Sequence, residues 1–507
     1  MRRKHLSTDL GLLLVLAGCG GGGGSNDSVA SDPGAPDNAG WTKDPVVVAP
    51  NAGQTNRFGF RVALSADGNT LAISAPQERS AALGVNASQQ QEQGAFRGAV
   101  YLFSRSGSQD WIFQTYIKAS VLLRGEFAPA FGSAISLSAD GNTLVVGART
   151  ANGTRDGIGE TSRIESGALF VFTRTDGQTW HETAILRADN GLTLDRLGSS
   201  VTISADGKTI VAGAPTRDYG TVTGEPDAAQ RLRDSGAAYV FSLDESGRWQ
   251  QTALLRAPEP AVNDQFGHSV VVSGDGNRVV VGAPRESSGG SGVVEQRLPG
   301  TPDSERTGAA YIFRRQGDGY SLEAMLKPQQ PQRYQAFGQS LAIDDAGSRL
   351  AVGGDFTGYA EQTGSGLIDY PPGYVDIYNR NLLAWQPGGV LADPRPRAQS
   401  DRFGESLAIT PDGRTLAVGM SGDQLELPSP VLYRPRGAVH VFVNDGQWQH
   451  TAKITPADDD SNAQDMGRSV AISADGRLII AGASEADGAA GGRSLTDSGR
   501  VYPLSLR

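Results

Sequence analysis

Few side chains in this 507-residue chain can do chemistry. Cys19 is the only cysteine, so neither an internal disulfide nor a thiolate metal set can form within the chain. His5, His181, His268, His440 and His450 show no zinc-type spacing. His181, His440 and His450 fall at different positions of the repeat described below, so no shared metal site is expected of them. The densest acidic cluster is Asp458, Asp459 and Asp460 with Asp465. It reads as a solvated loop, because calcium needs about six to eight oxygen ligands. No Gly-x-Ser-x-Gly elbow or phosphate-cradling loop occurs, and neither does a catalytic constellation, so an enzyme is not expected. The net charge is −10 with basic residues scattered, which excludes the clustered basic face of a nucleic-acid binder.

The lone thiol draws its meaning from its address. Arg2, Arg3 and Lys4 precede the apolar run Leu12-Leu13-Leu14-Val15-Leu16, which is too short to span a membrane as a helix. The tetrad Leu16-Ala17-Gly18-Cys19 resembles a lipobox, in which Cys19 becomes the lipidated first residue of the mature chain. Residues 1–18 are therefore expected to be a signal peptide. Residues 19–40, rich in Gly, Ser, Asn, Asp and Pro without apolar periodicity, are expected to be a flexible tether. Gly20 is not the Asp that retains lipoproteins at the inner membrane, so a lipid anchor in the outer membrane of the cell envelope is expected.

From Trp41 onward the chain repeats. Each unit opens with a Phe-Gly-like pair: Phe58-Gly59, Phe131-Gly132, Leu197-Gly198, Phe266-Gly267, Phe337-Gly338, Phe403-Gly404 and Met466-Gly467. Alternating apolar residues follow, such as Val270 and Val272, then a tight turn such as Ala139-Asp140-Gly141-Asn142. Period-two alternation means strand, and Asp-Gly between apolar runs means hairpin. A second strand (Val279-Val280-Val281-Gly282-Ala283), a long polar loop, a third strand after a glycine such as Gly236, and a fourth opening at Trp249 or its equivalents complete the unit. Seven such units define an all-β, seven-bladed β-propeller of four-stranded antiparallel blades over residues 41–507. The last unit stops at its third strand. Its missing outer strand is expected from the N-terminal segment, where Trp41 precedes Val46-Val47-Val48-Ala49-Pro50, closing the ring. The six Trp residues all hold this outer-strand position or its N-terminal equivalent and are expected to pack blades.

The recurring Phe-Gly, with Gly213-Ala214-Pro215 and Gly282-Ala283-Pro284 in full and partial forms elsewhere, resembles the FG-GAP repeat of integrin-α-type propellers. The resemblance covers residues 41–507 and implies a binding or scaffolding module of the cell exterior, with a protein or glycan partner. Integrin-type repeats often carry a calcium loop between the first two strands. Here that hairpin is a short turn with usually one carboxylate (Asp67, Asp140, Asp206, Asp275, Asp412 or Asp475), so calcium is not expected and no cofactor is assigned.

Two sets of residues are candidates for contact. The position after each Phe-Gly pair should line one mouth of the channel: Phe60, Ser133, Ser199, His268, Gln339, Glu405 and Arg468. Of these, His268, Gln339, Glu405 and Arg468 could grip a small polar ligand. The long second-to-third-strand loops should build the working face. They carry Glu78, Arg79, Arg155, Asp156, Asp218, Tyr219, Arg285, Glu286, Phe356 and Tyr359. The alternative is a glycan-cleaving enzyme at the channel mouth, which would need a second carboxylate beside Glu405.

Overall fold

Short strands and tight turns dominate because no long stretch of the chain has helical periodicity. The computed structural model describes residues 38–507 apart from 87–95, 107–109, 122–129, 154–162, 176, 178, 221–231, 302–303, 355–371, 383, 395–400, 423–434, 458–459, 461–462 and 491–492. Seven antiparallel sheets form the blades of a propeller ring, with innermost strands Val62–Leu64, Phe131–Leu137, Ser200–Ile203, Ser269–Val272, Ser340–Ile343, Phe403–Ile409 and Ser469–Ile472. The four repeat strands run outward in sequence order within blades one to six. The second strands, such as Thr209–Ala214, are almost wholly buried, since adjacent blades cover both their faces. Outer strands such as Trp249–Leu255 are largely half-buried or exposed.

The ring closes as the repeat count requires. Trp41–Lys43 pairs antiparallel with Leu504–Leu506 of the last strand, outermost in blade seven. The strand lies earlier than the expected 46–50 run. Pro45 has no N–H to donate and interrupts the ladder, which resumes as a single bridge between Val47 and Val501. Two additions were not expected: Gly292–Val294 extends blade four as a fifth strand, and Gly488–Ala490 pairs with Arg493–Leu495 as a hairpin in the blade seven loop.

The glycines of the repeat meet at the blade boundaries. A Cβ placed on Gly213 of blade three would lie 1.8 Å from the carbonyl oxygen of Gly267, the Phe-Gly glycine of blade four. The same contact closes the ring, where a Cβ on Gly482 would lie 2.1 Å from Gly59 O. Serines latch the same carbonyls: Ser200 Oγ donates to Gly267 O (2.9 Å), Ser269 to Gly338 (2.6 Å), Ser340 to Gly404 (2.6 Å) and Ser406 to Gly467 (2.7 Å).

At the hairpin end the turns are tied internally and to each other. In the first blade Asp67 accepts from Ser65 Oγ (2.5 Å) and Asn69 N (3.0 Å), and blades two, three, four and seven repeat the pattern. Burial pushes the Asp67 carboxyl up, but the Ser65 hydroxyl and the Asn69 amides hold it below its ordinary value. Backbone bonds link successive turns, as Ala474 N to Ala66 O (2.8 Å), Ala66 N to Ala139 O (2.9 Å) and Gly274 N to Asp345 O (3.0 Å). The tryptophans pack here, with the Arg105, Arg174 and Arg349 guanidiniums 5.1–5.6 Å from the ring centres of Trp111, Trp180 and Trp448.

Candidate functional site

The chain enters each innermost strand through the residues after Phe-Gly, so these side chains are held at the loop end of the channel. Across the closure seam, Phe60 and Arg61 of blade one meet Arg468 of blade seven. The Arg61 guanidinium lies 4.7 Å from the Phe60 ring centre and that of Arg468 5.7 Å. Arg468 also reaches Glu405 of blade six at 3.5 Å and Asp465 at 4.0 Å. Glu405 accepts from Ser421 Oγ, while Asp465 accepts from Ser484 Oγ (3.2 Å) and Glu485 N (3.0 Å). Burial pushes the Asp465 carboxyl up to about 7.

Positive charge accumulates around this point. Burial, and then the charge of Arg468, lower the Arg61 guanidinium to about 10, with Arg149 acting in the same sense and Glu405 against it. His268 of blade four keeps some exposure to solvent but is ringed by protein. Burial first, then Arg61, Arg285 and Arg149, hold its imidazole down at about 4, so it is neutral at pH 7. Blades one, two, four and seven thus direct cations at one region, with blade six supplying Glu405.

Of the expected mouth residues, the structure therefore brings Glu405 and Arg468 together and places His268 in the field of the arginines. Gln339 occupies the equivalent place in blade five, its backbone N–H bonded to Ala336 O at 3.0 Å. Ser133 is a latch instead, donating to Gly198 O at 3.1 Å. Sequence reasoning missed Arg61 and Arg149. Both were legible as departures from the repeat: Arg61 stands where blades three to seven carry the latch serine, and Arg149 stands where Gly-Ala-Pro carries proline.

Two expected loop-face residues must be corrected. Glu78 is 2% exposed and bound to Lys118, and Glu286 is fully buried with Lys327 Nζ at 2.6 Å and Arg297 Nε at 3.0 Å. They pin the roots of the long loops to the fourth strands, so they present nothing to a partner. Arg285 remains exposed. The Arg79 guanidinium lies 4.2 Å from the Phe96 ring centre. Asp218 accepts from Asp234 N at 2.9 Å, and the Arg256 guanidinium lies 4.8 Å from the Tyr219 ring centre. Cys19, Arg155, Asp156, Phe356 and Tyr359 lie outside the described residues.

Two further expectations change. His440 and His450 are not separated: the third and fourth strands of blade six are neighbours, and His440 Nδ1 lies 3.0 Å from His450 Nε2. Asp458 and Asp459 lie outside the described residues, but the other two acidic residues of that cluster are not simply solvated. Asp460 holds Arg500 (3.2 Å) and Tyr502 Oη (2.9 Å), and Asp465 is buried. Among the described residues no group of three or more His, Cys, Asp or Glu is placed to hold a metal ion. The calcium of integrin-type repeats does not fit the hairpins, whose carboxylates, usually one to a turn, already accept from their own turns.

The FG-GAP repeat family model matches residues 180–241 and 249–313, each beginning at the outer-strand region of one blade and ending in the third strand of the next. No curated protein matches the chain. The protein is a seven-bladed β-propeller, with FG-GAP repeats matched over those two stretches.

Proposed function

We propose that the protein is a lipid-anchored binding or scaffolding propeller of the cell envelope, without catalytic activity, that takes an acidic group of a protein or glycan partner at the channel mouth. The observation that carries this is the concentration of Arg61, Arg149, Arg285 and Arg468 at one end of the channel in a chain of net charge −10. Cations forced together repel, and an anion bound among them relieves that repulsion. A glycosidase at this mouth would need two carboxylates available as acid and as nucleophile or base. Glu405 is engaged by Ser421 and Arg468, and Asp465 by Ser484 and the Glu485 N–H, which favours binding over hydrolysis. The anchor rests on the lipobox-like tetrad ending at Cys19.

Binding of poly-glutamate and polygalacturonate to the mature chain tests the mouth. The control is the double variant Arg61→Ser/Arg468→Ser, in which Arg61→Ser installs the residue that blades three to seven carry. At least one polyanion should bind the wild type, weaken with salt and lose affinity roughly tenfold or more in the variant. The bound anion should also raise the His268 pKa above about 4 in an NMR titration, since it stabilises the imidazolium. Equal binding by both proteins would remove the mouth from consideration. Mass spectrometry of the membrane fraction tests the anchor, and an unmodified Cys19 thiol would exclude it.

A further inference from the structure

Blade five departs from its siblings at one residue, and a cleft lies there. At the third position of the third strand, six blades carry a ring: Tyr101, Phe170, Tyr239, Tyr311, His440 and Tyr502. In four of them it packs on the phenylalanine of the same blade's Phe-Gly pair, with centroids 5.2–5.3 Å apart for Tyr101, Phe170, Tyr311 and His440. Three of the tyrosines also donate to the connection that precedes their blade: Tyr101 to Asn51 (2.6 Å), Tyr239 to Asn190 (3.1 Å) and Tyr502 to Asp460 (2.9 Å). Blade five has Asp376 at this position, and Phe337 keeps the contact to the fifth position of that strand, Tyr378 at 6.2 Å, that its siblings also make at 6.0–6.3 Å. Where the missing ring would reach toward the preceding connection there is a cleft of about 180 Å³, lined by Gln330, Gln332, Gln335, Tyr374, Asp376 and Val390 among others.

The Asp376 carboxylate is built into this wall without a cation or a well-formed hydrogen bond. The residue is 1% exposed, the nearby Gln329 amides do not reach either carboxylate oxygen in hydrogen-bond geometry, and among the described residues no Lys or Arg forms an ion pair with it. Burial pushes its carboxyl up to about 7, against the opposing influence of the Gln329 amides. Gln329 Nε2 itself donates to Ile377 O (3.1 Å) and Gly389 O (2.8 Å). The wall opposite is firm. Gln335 accepts from Gln332 N (2.7 Å) and donates to Gln330 O (3.2 Å), fixing the loop that bears the Gln330 and Gln332 side chains. A buried carboxylate without a cation or a well-formed hydrogen bond is costly, and in most proteins such groups are paired.

We propose that this cleft binds a small ligand carrying a protonated amine, with the ammonium on Asp376 and hydroxyl or carbonyl groups on the glutamine amides. The ammonium supplies both the charge and the hydrogen bonds that the carboxylate lacks. The volume sets the size: drug-sized ligands occupy roughly 300 Å³ or more, so the ligand is no larger than a single amino sugar or a short amine. The site lies on blade five and owes nothing to the arginines of the channel mouth.

Thermal unfolding and calorimetry with methylammonium and glucosamine, and with glucose as the neutral match, test the proposal on the mature chain. At least one amine should raise the Tm at roughly tenfold lower concentration than glucose. Asp376→Asn should abolish that preference. Asp376→Tyr, which installs the sibling residue, should abolish amine binding while holding or raising the Tm, so that loss of binding is not loss of fold. The proposal is overturned if neither amine protects the wild type better than glucose, or if the preference survives in either variant. A large fall in Tm for Asp376→Tyr would overturn the identification of the cleft with the missing ring.

Discussion

The two ends of the ring are made by the same seven repeats yet differ in kind. At the hairpin end every turn is a few residues long, its carboxylate is held by its own turn in most blades, and backbone bonds run from turn to turn. At the loop end the chain must cross from the second to the third strand and on to the next blade. Its buried polar groups there are settled pair by pair, as in Glu78 with Lys118, Glu286 with Lys327 and Arg217 with Asp195. What remains at that end is uneven: an excess of arginine at the mouth and, in blade five, a buried carboxylate without a cation or a well-formed hydrogen bond. Uniform sequence makes one end a frame, and the departures from the repeat at the other end make sites.

The largest effect should come from undoing what both ends share, the closure. Deleting residues 41–50 removes Trp41, the outer pairing with Leu504–Leu506 and the Val47 bridge. It should lower the Tm more than any point variant, while deleting residues 20–36 should leave it nearly unchanged. Equal melting curves for the two deletions would refute the closure. Next, Glu286→Gln leaves the Lys327 cation buried without its carboxylate and should cost about 3–5 kcal/mol in denaturant unfolding. A cost near zero would mean that the loop roots are not pinned by this pair.

The smallest effects separate the two ends most clearly. Asp140→Ala removes an acceptor from Ser138 Oγ and Asn142 N at the hairpin end and should cost about 1 kcal/mol without touching ligand binding. Arg285→Glu, on the exposed loop end, should change stability by less than about 0.5 kcal/mol while weakening polyanion binding. If the hairpin variant lost binding and the loop variant kept it, the division of labour between the ends would be reversed.

Most of the frame was legible without coordinates. Period-two alternation and Asp-Gly turns are local signals, so the seven units and their four strands followed from reading along the chain. The closure followed from counting: a last unit without a fourth strand and a first segment with Trp41 left only one arrangement. Even the arginines of the mouth were visible in principle, as residues out of place in a repeat.

What only the tertiary structure decided is which side chains meet. Glu78 and Glu286 look like loop charges in sequence, yet each is buried against a lysine 40 or 41 residues away. His440 and His450 meet because a hairpin folds one strand onto the next. Arg61 and Arg468 come together because the ring brings the first blade against the last. The cleft at Asp376 exists because the other blades fill that space with a ring and this one does not. Strand periodicity and turn chemistry are properties of neighbours along the chain. Burial, ion pairing and cavity volume depend on neighbours across strands and blades, and only the closed ring determines who they are.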